Sequence, residues 1–266
     1  MTLALKMKAL DAKHYLLDIS LKRDQVDSFD EYPFCLPVCR NLDVLELHPS
    51  VTFFVGENGS GKSTLLEAIA VASGFNPEGG TKNFGFTTRS SHSPLYEKLT
   101  FRRGLKRPRD GFFLRAESFF NVATEIERLD SEACPAPPII DSYGGKSLHE
   151  QSHGESFLAL LMERFGGNGL YILDEPEAAL SPTKQMALLS RMHDLVNLQS
   201  QFIIATHSPI VMAYPDALIY HLGESGVCAV RYTETEHYAV TKEFLNKPES
   251  MLNELLGART SQQEHR

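Results

Sequence analysis

The feature that most constrains this chain is a glycine-rich segment lying between an apolar run and a helix-forming run. The apolar run is residues 51–55, and residues 65–70 have the composition of the first turns of a helix. The segment itself consists of Gly56, Glu57, Asn58, Gly59, Ser60, Gly61, Lys62, Ser63 and Thr64. It matches G-x-x-x-x-G-K-[ST] at every fixed position, and strand, glycine loop and helix is the context that this motif requires. The sequence therefore predicts a loop that binds the phosphates of a nucleoside triphosphate.

Each fixed residue type of this loop has a chemical reason. Glycines let the backbone approach phosphate oxygens, and the helix N-terminus offers unpaired N–H groups and the positive end of a dipole. Lys62 is expected to reach the β- and γ-phosphates of ATP and to act in catalysis, and Ser63 is expected to hold Mg²⁺. ATP and Mg²⁺ are the predicted cofactors. The alternative is a glycine-rich turn that matches the motif by chance.

Two later apolar runs end in polar side chains of the kind that ATP chemistry uses. Asp174 and Glu175 follow the run 170–173, and His207 follows the run 201–206. The carboxyl ends of parallel strands meet at one sheet edge, where α/β proteins bind ligands. We expect Asp174 to bind Mg²⁺, Glu175 to orient or deprotonate the attacking water, and His207 to sense the γ-phosphate. The alternative for each residue is a structural role at a strand end.

A fourth motif precedes Asp174 and opens a helix. Its residues are Gln151, Ser152, His153, Gly154 and Glu155. Ser152 and Glu155 have the spacing of a capping box, which is a sufficient structural reason for both. A capped helix N-terminus is also an anion site, so the two roles are compatible.

Composition bounds the class of protein. The 266 residues are 42% hydrophobic and carry a net charge of −8, with a pI of about 5.7. Proteins that permanently cover nucleic acid are usually basic, so the chain as a whole does not fit that class. The sequence contains neither an apolar run long enough to span a membrane nor a signal-peptide pattern. We expect a cytoplasmic protein with free thiols.

The order of the four motifs resembles that of ABC-type ATPases. The resemblance covers roughly residues 40–225 and is nearest to the soluble branch, which includes chromosome-maintenance and recombination-repair heads and small ATPases of the AAA family. It implies an α/β P-loop NTPase of ABC type. Such a fold has a mixed, largely parallel sheet flanked by helices, an N-terminal antiparallel β-lobe and a short helical lobe.

The same resemblance implies the organisation of the chain. We expect a single domain spanning 1–266. Its parts are the β-lobe and phosphate-loop core at 14–116, the helical lobe at 117–166, the second half of the core at 167–235 and C-terminal helices at 238–260. In such proteins two ATPs lie between the subunits of a head-to-tail homodimer. Ser152, His153, Gly154 and Glu155 would then act in trans, as the signature that contacts the partner's nucleotide.

Three departures from the family pattern are visible. The signature is usually Leu-Ser-Gly-Gly-Gln, whereas this chain has Gln-Ser-His-Gly-Glu at 151–155. The glutamine that contacts the metal is missing, and Glu117 is the candidate replacement. Ser181 stands where an aspartate is usual after the Asp-Glu strand. Communication between the two ATP sites is therefore expected to differ from the family pattern.

The interval from Glu117 to Ser152 is too short for coiled-coil arms, so we expect the output to pass through a separate effector protein. The leading interpretation is an ATP-hydrolysing switch in a DNA-linked or anti-phage defence process. The alternatives are the motor subunit of a membrane transporter and a slow ATP sensor that controls an effector such as a nuclease. The segment Lys98–Arg109 holds six basic residues in twelve. It is either a solvated loop or a contact surface for nucleic acid or an acidic partner.

Overall fold

The computed structural model describes residues 15–82, 93–115, 119–132, 137–150 and 153–260. The side chains of Phe120, His153 and residues 258–260 are outside this description. Nine strands lie in these ranges: β1 (Leu16–Leu21), β2 (Val44–Glu46), β3 (Val51–Val55), β4 (Leu99–Arg103), β5 (Asp110–Arg115), β6 (Gly169–Asp174), β7 (Gln201–Ala205), β8 (Leu218–Gly223) and β9 (Gly226–Val230).

Seven α-helices connect or follow the strands in the described ranges. They are α1 (Pro37–Arg40), α2 (Lys62–Ala72), α3 (Phe119–Ser131), α4 (His153–Ala159), α5 (Pro182–Asn197), α6 (Glu236–Asn246) and α7 (Pro248–Thr260). A π-helical turn, Leu160–Arg164, extends α4. The start of α5 shows how the sequence sets a boundary. Pro182 takes the first helical position, and the Ser181 hydroxyl accepts a hydrogen bond from the Lys184 N–H.

Two sheets form the framework. The larger has the strand order β5-β6-β7-β3-β8-β9, in which only the β8–β9 pair is antiparallel. The smaller sheet, β2-β1-β4, is antiparallel. Helices cover the larger sheet, so the predicted α/β fold with a mixed, largely parallel sheet and an N-terminal antiparallel sheet is confirmed.

The strands of the larger sheet are buried on both faces, which explains their continuous apolar runs. Side chains alternate between two cores because successive residues of a strand point to opposite faces. Phe53 lies in the core that also contains residues of α3, α4 and α5, whereas Phe54 lies in the core shared with α2 and the smaller sheet. Both phenylalanines are fully buried.

One buried amide links the two sheets. The Gln201 side-chain oxygen accepts hydrogen bonds from the N–H groups of Tyr15 (3.1 Å) and Leu16 (3.0 Å). Its nitrogen donates to the carbonyls of Leu16 (2.8 Å) and His48 (2.9 Å). Gln201 thereby satisfies backbone groups at the start of β1 that would otherwise be buried without partners.

One local expectation is wrong. The apolar residues 34–36 predict a short strand, but the structure has a turn there that leads into α1. Leu36 is the N-cap of α1 and Pro37 takes its first helical position. Proline is favoured at that position because the missing N–H has no helical partner in any case.

The carboxyl ends of the central parallel strands meet at one edge. Asp174 pairs in register with Ala205 on one side and with Arg115 on the other, and Phe54 pairs with Ala205. The segments that follow β3, β6 and β7 therefore emerge next to one another. This alignment brings residues that are distant in sequence into a single site.

Candidate active site

The phosphate loop folds in a way that only glycine permits at two positions. Gly56 has φ of 149°, and a Cβ there would lie 2.2 Å from the Leu222 carbonyl oxygen. Gly61 has φ of 93°, and its Cβ would lie 2.7 Å from Val38. Both conformations are in the region that side chains disfavour. The loop is thus packed between the β8–β9 hairpin and α1, with α2 beginning directly after it.

Lys62 lies under the loop and is only 4% exposed. Its ammonium donates hydrogen bonds to the carbonyls of Gly56 (2.9 Å) and Glu57 (2.8 Å). Burial lowers the pKa of Lys62, and the carboxylates of Glu175 and Asp174 oppose this shift. These two carbonyl oxygens replace part of the hydration that the ammonium loses on burial, and anionic phosphate oxygens are suitable further partners for it.

Ser63 and Asp174 form the candidate metal site. The Ser63 hydroxyl donates to Asp174 Oδ1 at 3.1 Å, which joins the first turn of α2 to the end of β6. A hydroxyl and a carboxylate are hard oxygen ligands, and Mg²⁺ typically combines one or two such protein ligands with waters and substrate phosphates. The two residues fit Mg²⁺ on this chemistry.

Glu175 adopts a backbone conformation that is uncommon for its residue type. Its φ is +50°, and its N–H donates to the Ala205 carbonyl at 2.9 Å, so β7 fixes the turn after Asp174. Left-handed backbone at non-glycine residues concentrates at functional sites. Glu175 Oε1 lies 3.4 Å from His207 Nε2. The two predicted catalytic side chains therefore face one another across the ends of adjacent strands.

Glu177 is a site residue that the sequence did not reveal. Its carboxylate accepts hydrogen bonds from the backbone N–H groups of His207 (2.6 Å) and Ser208 (3.2 Å). Burial raises the pKa of Glu177, and the hydrogen bond from the His207 N–H opposes the increase. The contact holds the histidine loop against the turn after β6. Its only sequence signal is a further acidic residue close behind Asp174 and Glu175.

A second histidine supports His207 from the C-terminal part of the chain. His237, in the first turn of α6, places Nε2 at 3.0 Å from His207 Nδ1. Burial lowers the pKa of both imidazoles, and the positive charge of Lys62 adds to the shift for His207. His237 has no local sequence signal, because it meets His207 only through the tertiary fold.

The surroundings of the two rings define their tautomers. A neutral imidazole has one N–H donor and one acceptor nitrogen. His207 Nε2 faces the Glu175 carboxylate, which only accepts, so we assign the N–H of His207 to Nε2 and the lone pair to Nδ1. His237 Nε2 must then be the donor in the pair. In this tautomer His207 presents an N–H donor on the side of Glu175, as contact with a γ-phosphate oxygen requires.

Replacement of His237 by alanine is expected to lower the kcat of ATP hydrolysis roughly 3- to 10-fold, since a net hydrogen bond contributes about 0.5–1.5 kcal/mol. KM should change little because His237 is placed behind His207. His237→Gln provides an amide N–H donor and should restore most of the rate. Steady-state phosphate release and thermal unfolding of both variants test this prediction. Equal losses in the two variants would contradict the donor role.

The signature segment is only partly described. Ser152 lies outside the described residues, and for His153 only the backbone is described. Gly154 and Glu155 begin α4, where Gly154 is buried and Glu155 is exposed. A Cβ on Gly154 would lie 2.6 Å from the Ala179 carbonyl oxygen, so close packing alone requires glycine there.

Glu117 also lies outside the described residues. The strand that leads to it ends at Arg115, whose guanidinium is paired with Glu67 at 2.6 Å. These two side chains line a cavity of about 220 Å³, together with Tyr32, Ser63, Thr64 and Ser93. The Tyr32 hydroxyl lies 3.2 Å from the Thr64 hydroxyl. Polar groups thus surround the entrance to α2 beside the candidate metal site.

A larger cavity of about 390 Å³ borders the phosphate loop itself. Residues of the phosphate loop, the β8–β9 hairpin and the start of α6 line it, including Glu57, Asn58, Gly59, Ser60, His221 and Glu236. The nine predicted residues from Gly56 to Thr64 form the loop and the first turn of α2. Four of them line the larger cavity, and Ser63 and Thr64 line the smaller one.

Two family models match the chain. Residues 28–124 match a model described as "AAA domain". Residues 142–213 match a model described as "AAA domain, putative AbiEii toxin, Type IV TA system". The first match contains the phosphate loop, and the second contains the signature segment, Asp174, Glu175 and His207.

Three curated relatives illustrate the range of similarity. ABC transporter G family member STR2 of Medicago truncatula is 26% identical over 60% of this chain and 24% of its own length. The DNA replication and repair protein RecF of Colwellia psychrerythraea is 41% identical over 25% of this chain and 16% of its own. "Putative ABC transporter ATP-binding protein TTE0246" of Caldanaerobacter subterraneus subsp. tengcongensis is 29% identical over 58% of this chain and 68% of its own.

The chain spans at most a quarter of the first two relatives. The motif order, the sheet topology and these matches together support an ABC-type ATPase domain with a P-loop nucleotide-binding site. In the part of the chain that the structure describes, none of the helices combines the length and apolar character that a bilayer crossing requires.

Proposed function

We propose that the protein is an ATP-hydrolysing switch that closes head-to-tail around ATP and regulates or powers a separate partner. The observation that carries the proposal is the convergence at one sheet edge of Lys62, Ser63, Asp174, Glu175 and His207. An ammonium, a pair of oxygen ligands, a carboxylate and an imidazole N–H are the groups that phosphoryl transfer to water uses.

Each residue has a distinct task in this proposal. Ser63 and Asp174 hold Mg²⁺, which when bound neutralises charge on the β- and γ-phosphates. Lys62 binds the same phosphates, and the loop backbone provides N–H groups around them. Glu175 orients the attacking water and accepts its proton, and the His207 Nε2–H holds a γ-phosphate oxygen. Glu177 and His237 keep the His207 loop and ring in position.

The site of one subunit is incomplete in this proposal. The γ-phosphate is contacted by the signature of a second copy, which consists of Ser152, His153, Gly154 and Glu155. Glu117 is the proposed additional ligand of the metal. A two-fold symmetric homodimer therefore contains two equivalent composite sites. ATP joins the subunits, and hydrolysis releases them.

The proposed biological setting is a DNA-linked or anti-phage defence process with a separate effector. The RecF relative is named for DNA replication and repair, and the second family model is named for a toxin of a type IV system. Two relatives are named as ABC transporter components, so a transporter motor is the second candidate function. Co-purification with a membrane protein would favour the second candidate.

Mixing two inactive variants tests the composite site. Lys62→Ala removes the phosphate-loop ammonium and Ser152→Arg blocks the signature, so each protein alone should release almost no phosphate from ATP. A mixture can assemble one site with an intact loop from one subunit and an intact signature from the other. We expect the mixture to regain Mg²⁺-dependent phosphate release. Two folded variants that stay inactive together would contradict the trans arrangement.

A further inference from the structure

A second cavity lies at the opposite end of α2 from the phosphate loop. It has a volume of about 310 Å³ and is lined by the starts of β1 and β6, the residue after α2 and the β4–β5 loop. Because α2 has 11 residues, its length of about 16 Å separates this cavity from Lys62. The cavity is therefore distinct from the candidate ATP site.

The charged residues that line this cavity are all basic. They are Lys82, Arg103, Lys106 and Arg107, and the remaining lining residues include no aspartate or glutamate. The chain as a whole has a net charge of −8, so this local excess of positive charge is opposite in sign to the average. A concave surface of a single charge sign concentrates the electrostatic field and attracts counter-charged groups.

Neighbouring groups hold two of these cations without neutralising them. The Arg103 guanidinium donates to the Ala72 carbonyl at 3.2 Å, at the C-terminal end of α2. The Lys82 ammonium lies 5.0 Å from the centre of the Phe75 ring. Within the described ranges, none of the four cations forms an ion pair with a carboxylate.

Other cations of the basic segment Lys98–Arg109 are used differently. The Arg102 guanidinium is paired with the buried Asp18 carboxylate, so its charge is neutralised within the smaller sheet. Lys98 lies at the far end of β4 from the cavity. Only some cations of the basic segment therefore line the cavity. Lys82, which lies outside the segment in sequence, lines it with them.

The like charges in this cavity repel one another. Burial lowers the pKa of Lys82, and the positive charges of Arg103 and Arg107 lower it further. A bound anion would remove this repulsion. A cavity about ten times the ~30 Å³ that one water occupies in the liquid can admit a phosphate group with its attached sugar.

We propose that this cavity binds phosphate groups and that the phosphodiester backbone of a nucleic acid provides them. Arg103, Lys106 and Arg107 follow one another in sequence from the end of β4 into the exposed β4–β5 loop, and Lys82 adds a fourth charge to the same cavity. Arg109 lies further along the same loop and is exposed. A row of charges matches a polymer with one phosphate per unit better than it matches a single small anion. Leu105, at the tip of the same loop, is 77% exposed and can contact a sugar or base.

The test compares two double variants of the full chain that change the net charge equally. Lys106→Glu with Arg107→Glu reverses charge at the cavity, whereas Lys242→Glu with Lys247→Glu reverses charge on exposed positions of the C-terminal region. Binding of labelled DNA duplex and single strands is measured by fluorescence anisotropy over a salt series. The cavity variant should lose roughly tenfold or more in affinity, and its salt slope should fall by about one for each lost phosphate contact. The control should bind nearly as well as the unmodified chain.

Several results would overturn this proposal. They are equal losses in the two double variants, absence of DNA binding by the unmodified chain, and binding to phosphatidylserine vesicles in place of DNA. Calorimetry with inorganic phosphate and pyrophosphate distinguishes a free anion from a nucleic acid. Binding of these anions that requires Lys106 and Arg107, without DNA binding, would retain the phosphate site but exclude nucleic acid as its source. Unchanged ATP binding by both variants shows that they are folded and that the ATP site is separate.

Discussion

Replacement of Lys62 by alanine is expected to reduce ATP affinity on the order of 100-fold. The ammonium is buried and lies directly under the phosphate loop, where its hydrogen bonds are with backbone oxygens. Charge-assisted hydrogen bonds contribute about 1.5–3 kcal/mol, and every 1.4 kcal/mol corresponds to a tenfold change in affinity. Titration calorimetry with ATP and Mg²⁺ measures the change directly.

A matched control separates the loss of this ammonium from the loss of one positive charge. Lys242→Ala removes an exposed ammonium on α6 and should leave ATP affinity unchanged. The Lys62 variant also loses two hydrogen bonds between the ammonium and the loop, so its thermal unfolding should be measured alongside binding. A folded Lys62→Ala protein with unaltered ATP affinity would disprove the phosphate-loop assignment.

Replacement of Glu175 by glutamine is expected to lower the rate of ATP hydrolysis by about 10²- to 10⁴-fold, the range that a general base typically contributes. Glutamine preserves the size of the side chain but is a poor proton acceptor. Glu175 lies 3.4 Å from His207 and adjoins Asp174, so the substitution alters the chemical step within an otherwise intact site. ATP binding should be retained.

Single-turnover phosphate release tests this prediction because it separates chemistry from product release. Glu243→Gln, on the exposed surface of α6, is the matched control and should hydrolyse ATP at the unmodified rate. A Glu175→Gln protein that binds ATP and hydrolyses it as fast as the unmodified chain would show that another group activates the water.

The fold and about half of the site residues could be predicted from local sequence patterns. The phosphate loop and the apolar runs before Asp174 and His207 are local patterns, and the structure contains each as expected. The carboxyl ends of parallel strands lie at one edge of a sheet, so the contact between Asp174 and Ser63 follows from the sheet topology. The expected strand at 34–36 was wrong because an apolar triplet alone does not distinguish a strand from the approach to a helix.

The residues that support these sites could not be predicted, because their partners are remote in sequence. His237 contacts His207 from a helix that follows the hairpin, and Lys82 lines the same cavity as Arg103 although the two are remote in sequence. Ser181 shows the opposite case. It replaces the usual aspartate, and its hydroxyl caps α5, which is a local structural role for that position.

The mass of the Glu175→Gln protein in solution tests the proposed switch most directly. Slow hydrolysis should trap the closed state, so light scattering with saturating ATP and Mg²⁺ should report a particle of two 29.7 kDa chains. Without nucleotide, the same protein should be a monomer. A Glu175→Gln protein that binds ATP and remains at the mass of one chain would contradict closure around ATP as the basis of its function.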